Sequence, residues 1–149
     1  MAITYEVREF GKFTPEELYE LLRLRSEIFV VEQTCIYQDL DGKDKVSLHL
    51  MAKDGERIVG CIRLIPQGIS YEEPSIGRLV VDEEYRKLGI ARTMMERGIQ
   101  YIEEYWNKTE IRISGQAYLR DFYESLGFRV KEGPYLEDDI LHFQMLRTK

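Results

Sequence analysis

The chain has 149 residues, 44% hydrophobic and 32% charged, with 27 acidic against 21 basic side chains and a net charge of −6. That length suits one domain able to bury a real core, and the acidic balance argues against a nucleic-acid binder, whose footprint is basic. No apolar run approaches the roughly 20 residues of a membrane span, Met1 to Glu6 lack the pattern of a signal peptide, and Cys35 and Cys61 cannot form a disulfide framework, so a reduced cytoplasmic setting is expected.

Residues 3–10 alternate, with Ile3, Tyr5 and Val7 on one face, and predict a strand. Gly11 breaks it. Thr14-Pro15-Glu16-Glu17 then reads as a capping box with proline at the first helical position. Leu18, Leu21, Leu22, Arg25, Ile28 and Phe29 follow at helical spacing, which carries the helix to about Val30. From Phe29 to Asp44 the pattern turns polar and loses its period. Asp39-Leu40-Asp41-Gly42 looks like the start of a calcium loop, but Lys43 and Lys45 occupy the continuation and no glutamate closes it. The stretch reads instead as an irregular connection, where binding residues collect.

Asp54-Gly55 marks a hairpin between strands over 46–53 and 57–66, and a third strand follows over 74–82. Ile90, Met94, Met95, Ile99, Ile102 and Trp106 predict a helix to about Asn107. Residues 110–114 form a short β-branched strand. Residues 117–126 form a helix with Gly127 at its C-cap. Strands over 128–131 and 139–147 enclose a loop at 132–138. The order implies one α+β domain over residues 1–149 with a mixed sheet and no repeat or linker.

Between the third of these strands and the long helix lies the stretch from Gly77 to Arg92. A strand that feeds a glycine-containing loop at a helix start is a general device for holding phosphate, because unpaired amides and the helix dipole point the same way. No Walker loop and no dinucleotide glycine fingerprint is present. About thirty residues further on comes Phe122-Tyr123-Glu124-Ser125-Leu126-Gly127-Phe128.

In this order and setting, that segment and Arg86-Lys87-Leu88-Gly89-Ile90-Ala91 resemble the GNAT superfamily of acyl-CoA-dependent N-acetyltransferases. Arg25-Ser26-Glu27-Ile28-Phe29-Val30-Val31-Glu32-Gln33, followed by Tyr37, Asp39, Asp41 and His49, is similar to its ElaA-type branch. The resemblance covers nearly the whole chain. It implies a GNAT-like fold, a mostly antiparallel sheet of about six to seven strands flanked by helices. It also implies transfer of an acetyl group from acetyl-CoA to a primary amine by direct attack in a ternary complex. By the same resemblance, the amides of Arg86, Lys87, Leu88, Gly89, Ile90, Ala91 and Arg92 hold the pyrophosphate. The main chain at Leu79, Val80 and Val81 takes the pantetheine arm and polarises the thioester carbonyl. Many members have an asparagine after the fifth strand; here Gln116 stands in for it. Tyr123 falls where the family places a tyrosine near the sulfur, and is assigned as general acid.

The acceptor must also lose a proton, since an alkylammonium with a pKa near 10.4 has no lone pair. Glu32 is the first candidate base, weighed evenly against a structural role in which Glu32 and Gln33 fix their loop. Phe29, Gln33, Tyr37 and His49 are expected at the acceptor. His49 and His142 titrate near neutrality, but each falls in a predicted strand and reads better as a structural histidine. Two histidines without a ligand cluster give no metal site. Cys35 reads as a loop or packing residue. Asp39, Asp41 and Asp44, with Glu137, Asp138 and Asp139, are either a lure for a cationic amine or solvated loop charges. The competing functions are a catalytically idle acyl-CoA-binding module and acetylation of a protein N-terminus or lysine. An open groove favours a peptide, a closed pocket a small amine. A homodimer remains open, because exposed and core apolar residues do not separate in sequence.

Overall fold

The computed structural model describes residues 2–148; Met1 and Lys149, the ends of the expected domain, lie outside the described residues. Seven strands are present: β1 (Ile3–Glu9), β2 (Leu48–Asp54), β3 (Arg57–Ile65), β4 (Ser75–Val81), β5 (Ile111–Gln116), β6 (Phe128–Glu137) and β7 (Ile140–Arg147). Three helices accompany them: α1 (Pro15–Ser26), α2 (Ile90–Tyr105) and α3 (Arg120–Ser125). The α+β arrangement of strands flanked by helices is as expected, but the sheet is divided. One part has the order β1-β2-β3-β4 and the other β5-β7-β6, with every pairing antiparallel. A main-chain bond from the Arg112 amide to the Pro74 carbonyl, 3.0 Å, joins β4 and β5 near their starts. An Arg112–Glu73 ion pair at 2.9 Å reinforces it. Beyond that joint the two strands separate, and a cleft opens.

The first sheet is apolar on both faces because a helix covers each. Leu50, Val59, Ile62, Leu64 and Ile76 pack with Met94, Met95, Ile99 and Ile102 of α2. Met51, Ile58, Cys61 and Val80 pack with Leu21, Leu24, Ile28 and Phe29 from the α1 side. Leu50 and Met51 thus go to opposite cores, as the period of two requires. Gly98 lets α2 approach closely: a Cβ there would lie 2.8 Å from Ile62 Cδ1.

Several boundaries differ from expectation, each for a local reason. Thr14 and Glu17 form the reciprocal capping box that starts α1, but the helix changes at Glu27–Glu32 into a π-helical turn. There the Gln33 and Cys35 amides reach the Ile28 and Val30 carbonyls, five residues back. Residues 43–46 form a 3₁₀ turn, so β2 starts at Leu48. The 132–138 segment is mostly strand rather than loop. Pro134 has no N–H to give a ladder, and the register of β6 on β7 shifts around it, resuming at Tyr135 opposite His142. Asp138 and Asp139, both with positive φ, make the two-residue turn into β7.

The irregular connection is held by buried charge. Arg25, 1% exposed, pairs with Asp39 and Asp44 at 2.9 and 2.7 Å. Arg63 in β3 pairs with Asp41 and Asp44 at 2.8 and 3.1 Å, and Arg78 in β4 pairs with Asp39 and Asp41 at 2.7 and 3.4 Å. Breaking a buried pair from one side leaves an uncompensated charge. Arg25→Leu is therefore expected to lose about 3–5 kcal/mol of stability by urea unfolding; a loss below about 1 kcal/mol would show that the network is not a structural anchor.

The same groups set an acid limit. Burial raises the carboxyls of Asp41 and Asp44, but hydrogen bonds and charges from Arg63 and Arg25 outweigh it, so both lie below the ordinary range. Such a carboxyl contributes stability above its unfolded pKa of about 3.9, and that contribution is lost as pH falls through the folded value. Burial lowers the pKa of His49, so its destabilising protonation in the unfolded chain begins near its unfolded value of about 6.5. The urea midpoint is expected to decline gently below about pH 6.5 and steeply below about pH 4. The steep part should shrink in Arg25→Leu.

Candidate active site

Between the separated sheets lies a cleft of about 820 Å³. One wall is β4. Its ladder on β3 is broken by a bulge: Cys61 faces Val80 and Arg63 faces Gly77, leaving Arg78 and Leu79 opposite Ile62. Arg78 takes φ +52°, an uncommon conformation for a residue with a Cβ. A bulge of this kind leaves main-chain groups outside the ladder, and residues 77–81 line the cleft.

At the end of this wall the chain turns into α2. Lys87 and Gly89 both have positive φ, and Gly89 is the N-cap, with the first helical bond running from the Thr93 amide to its carbonyl at 3.0 Å. The amides of residues 89–92 precede any helical acceptor. Side chains here point different ways. Ile90 is buried in the core, Arg92 bonds Ser125 Oγ at 2.9 Å and stacks on Phe122, and Lys87 and Leu88 are exposed. Arg86 and Ala91 line the cleft, while Lys87, Leu88, Gly89, Ile90 and Arg92 form its rim turn and helix start.

The other wall is β5 with α3 and the β6–β7 hairpin. β5 runs two residues past its expected end, so Gly115 and Gln116 are on the strand. A Cβ on Gly115 would meet the Tyr123 ring at 2.7 Å. The missing side chain therefore seats Tyr123 against the strand. Tyr123 is buried, lines the cleft, and its burial raises its pKa above the ordinary tyrosine range. Behind it the hairpin gathers Ser114, Tyr135, Glu137 and His142. Tyr135 and Ser114 hydroxyls bond at 2.7 Å, and Tyr135 stacks on His142. His142 Nδ1 lies 2.7 Å from the Ile140 carbonyl. A carbonyl only accepts, so Nδ1 carries the proton and Nε2 holds the lone pair, 3.5 Å from Glu137 Oε2.

The segment after α1 crosses between the walls. Glu32 holds Arg86 through two contacts of 2.6 Å, Gln33 and Gln116 exchange amide bonds at 3.0 and 3.3 Å, and Cys35 Sγ donates to the Asp138 carbonyl at 2.9 Å. Three residues of one short segment thus reach the α2 turn, β5 and the hairpin tip. Glu32 and Gln33 hold side chains rather than their own loop backbone. The Arg86 bond holds the Glu32 carboxyl below its usual range. Gln116, expected to face cofactor, is engaged with Gln33. Phe29 and Tyr37 line the cleft; Tyr37 bonds Asp39 at 3.3 Å and Arg78 lies over the Phe29 ring.

His49 takes the structural place weighed for it and not the acceptor contact. It is 2% exposed, packs against Phe10 and Phe13, and bonds the Asp44 carbonyl at 3.0 Å through Nε2. It is not among the cleft-lining residues, and buttresses the buried charge network instead. Neither reading of Asp39, Asp41 and Asp44, lure for a cationic amine or solvated loop charge, describes them: all three carboxylates are taken by Arg25, Arg63 and Arg78, and Asp39 and Asp44 are buried. Cys35 and Cys61 are both free thiols, and burial pushes the Cys61 pKa up to about 12. Among the described residues no group of three or more metal-ligating side chains comes together. Among the described residues no helix is long and apolar enough to cross a membrane.

Two antiparallel sheets that part around a bulged strand, an amide-bearing helix start and a buried tyrosine define an acyl-CoA acyltransferase architecture. Residues 11–149 match the acetyltransferase (GNAT) domain, and the chain belongs to that family. A UPF0039 protein of Synechocystis is 35% identical over 98% of this chain and 96% of its own length. The ElaA protein of Escherichia coli is 31% identical over 97% of this chain and 96% of its own. The crystal structure of ElaA superposes with a TM-score of 0.91 over 98% of this chain and 99% of that one, at 30% identity. An acyl-CoA N-acyltransferase from Pseudomonas aeruginosa superposes with a TM-score of 0.93 at 38% identity, over 99% of this chain and all of that one. The protein is an acyltransferase of the GNAT type, similar to ElaA.

Sequence reasoning missed Gly115, Ser114, Tyr135 and the three arginines that bind the connection. A signal existed for two of them: Arg63 and Arg78 sit inside otherwise apolar strands, and a charge there demands a buried counter-ion. The Gly115 contact is testable. Gly115→Ala is expected to displace the Tyr123 ring and lower turnover about 10-fold or more, as for a small misplacement of a reacting group, and tyrosine fluorescence or a crystal structure should report the shift. Full activity in that variant would mean that Tyr123's seat on β5 is immaterial.

Proposed function

We propose that residues 1–149 act as one domain that transfers an acetyl group from acetyl-CoA to a primary amine by direct attack in a ternary complex. The observation that carries this reading is the meeting, in one cleft, of the bulged β4 main chain, the α2 amide turn and Tyr123. The amides of residues 86–92 would hold the pyrophosphate and the main chain at Leu79, Val80 and Val81 the pantetheine arm and thioester oxygen. The amine nitrogen attacks the carbonyl carbon, the C–S bond breaks, and Tyr123 gives its proton to the departing thiolate. Its raised pKa keeps that proton in place at neutral pH until the thiolate forms. An acceptor entering as ammonium releases one proton overall.

The base is better supplied by His142 than by Glu32. Both Glu32 oxygens are held by Arg86, so taking a proton means giving up that pair. His142 has its tautomer fixed by Ile140 and presents a lone pair, with Glu137 placed to stabilise the imidazolium. The crossing segment 32–35 borders the cleft and is tied to both of its walls, which favours a small amine over a protein chain. The idle binding module is the second reading, favoured if no amine elicits CoA release.

Tyr123→Phe is expected to lower kcat about 100-fold or more with the KM for acetyl-CoA little changed; equal turnover would remove the acid assignment. His142→Gln is expected to lower kcat about 100-fold, the scale of a lost general base, and Glu32→Gln to cost much less; the reverse order would make Glu32 the base.

A further inference from the structure

The acceptor end of the cleft has a charge balance that acidic composition conceals. Arg25, Arg63 and Arg78 are matched one for one by Asp39, Asp41 and Asp44. Lys43 is left over. It lines the cleft, half-buried, and among the described residues its Nζ bonds only Ser70 Oγ, at 2.9 Å, with no carboxylate paired to it. Asp41 lies two residues before it, accepting from the Lys43 amide at 3.0 Å, but both its oxygens are held by Arg63 at 2.8 Å. Arg63 itself lines the cleft at 3% exposure, and its Nε–H has no acceptor although both Nη groups are engaged. Tyr71, beside Ser70, lines the same end with no hydrogen-bond partner for its phenol among the described residues. Burial raises the Tyr71 pKa, so the phenol stays a donor. One end of the cleft therefore holds an ammonium and two hydroxyls without an anion to receive them, beside a guanidinium whose Nε–H has no acceptor.

The opposite wall has the reverse sign. Glu137 faces the cleft beside His142, and Asp138 follows it at the hairpin tip. Both poles line the one cleft: Tyr71 lies two residues from Glu73, which Arg112 of β5 holds at 2.9 Å, and Glu137 lies 3.4 Å from Ser114 on that same strand. A plain cationic amine would satisfy only one pole. We infer that the acceptor is an amino carboxylate: its carboxylate docks on Lys43, Ser70 and Tyr71 beside Arg63, and its amine is held toward Glu137 and His142 for attack. This rests on the acetyl-transfer reading above and adds the class of acceptor to it.

The test compares acetyl-CoA-dependent thiol release with glycine, β-alanine and 4-aminobutyrate against release with their primary amides, which keep the amine and lose the carboxylate. At least one acid should exceed its amide in kcat/KM by roughly 10-fold or more, the size of a hydrogen-bonded charge contact. Lys43→Gln should lower that acid-to-amide ratio by a similar factor, Lys43→Glu should invert it, and Lys43→Arg should retain most of it. The ratio is internal to each variant, so partial loss of folded protein does not alter it. Amides or diamines used as well as every acid would overturn the carboxylate site while leaving acetyl transfer to amines intact. Calorimetric titration of the same acids into wild-type and Lys43→Glu protein saturated with CoA decides the case where no amine reacts. Binding by the wild type alone then upholds the site and sinks the transfer reaction; binding by neither sinks both.

Discussion

The structure depends on three buried arginines and the three aspartates that answer them. Beyond Phe29 the segment between α1 and β2 buries little apolar surface, with Val31, Ile36, Leu40 and Val46 all exposed, so hydrophobic burial does not fix its path. Arg25 comes from the helix, Arg63 and Arg78 from neighbouring strands, and each aspartate is shared between two of them. Sharing matters energetically. Each carboxylate has several donors, so the cost of leaving water is offset more completely than in an isolated pair. The result is a polar core beside the apolar ones, and it delivers Glu32, Gln33 and Cys35 to the far side of the cleft.

The cleft itself is assembled where regular pairing fails. The β4 bulge at Arg78 takes main-chain groups out of a ladder, the π-helical turn at Glu27–Glu32 redirects the end of a helix, and the shift around Pro134 turns the hairpin so that Tyr135, Glu137 and His142 share a face. Each irregularity sacrifices local hydrogen bonds, and each sits next to a side chain that faces the cleft. The regular elements do the opposite work. Both cores bury the same four-stranded sheet, which gives the irregular parts a rigid base.

This division explains what could be read from the sequence. The elements with periodic apolar faces were legible, α2 from Ile90 and Met94 and the β2–β3 hairpin from its Asp54-Gly55 punctuation, because burial imposes the period. So were the capping box at Thr14 and the α2 turn, whose signals are local. The split of the sheet was not, since it depends on how few bonds join β4 to β5, a tertiary quantity. His49 was readable both as an acceptor contact and as a structural histidine, because a titratable residue in a strand gives no sign of which core it faces. The partners of Asp39, Asp41 and Asp44 were hidden for a similar reason: they lie 14 or more residues away in the chain, and nothing local marks the pairing.

Consecutive residues Glu32 and Gln33 link the halves of the site. Glu32 holds Arg86, a side chain beside the amides of the α2 turn, and Gln33 holds Gln116 at the end of the strand against which Tyr123 is seated. An anion approaching Arg86 must be received alongside or in place of Glu32, and any shift of Glu32 is transmitted through one peptide unit to Gln33. If the α2 turn receives the cofactor's phosphates as proposed, the two ends of the cleft would not be independent in energy: binding there would shift the segment that borders the acceptor end, and by linkage the acceptor would influence cofactor affinity by the same factor. The physical origin of that coupling is the shortness of the crossing: too few residues separate the two contacts for one to move while the other stays fixed.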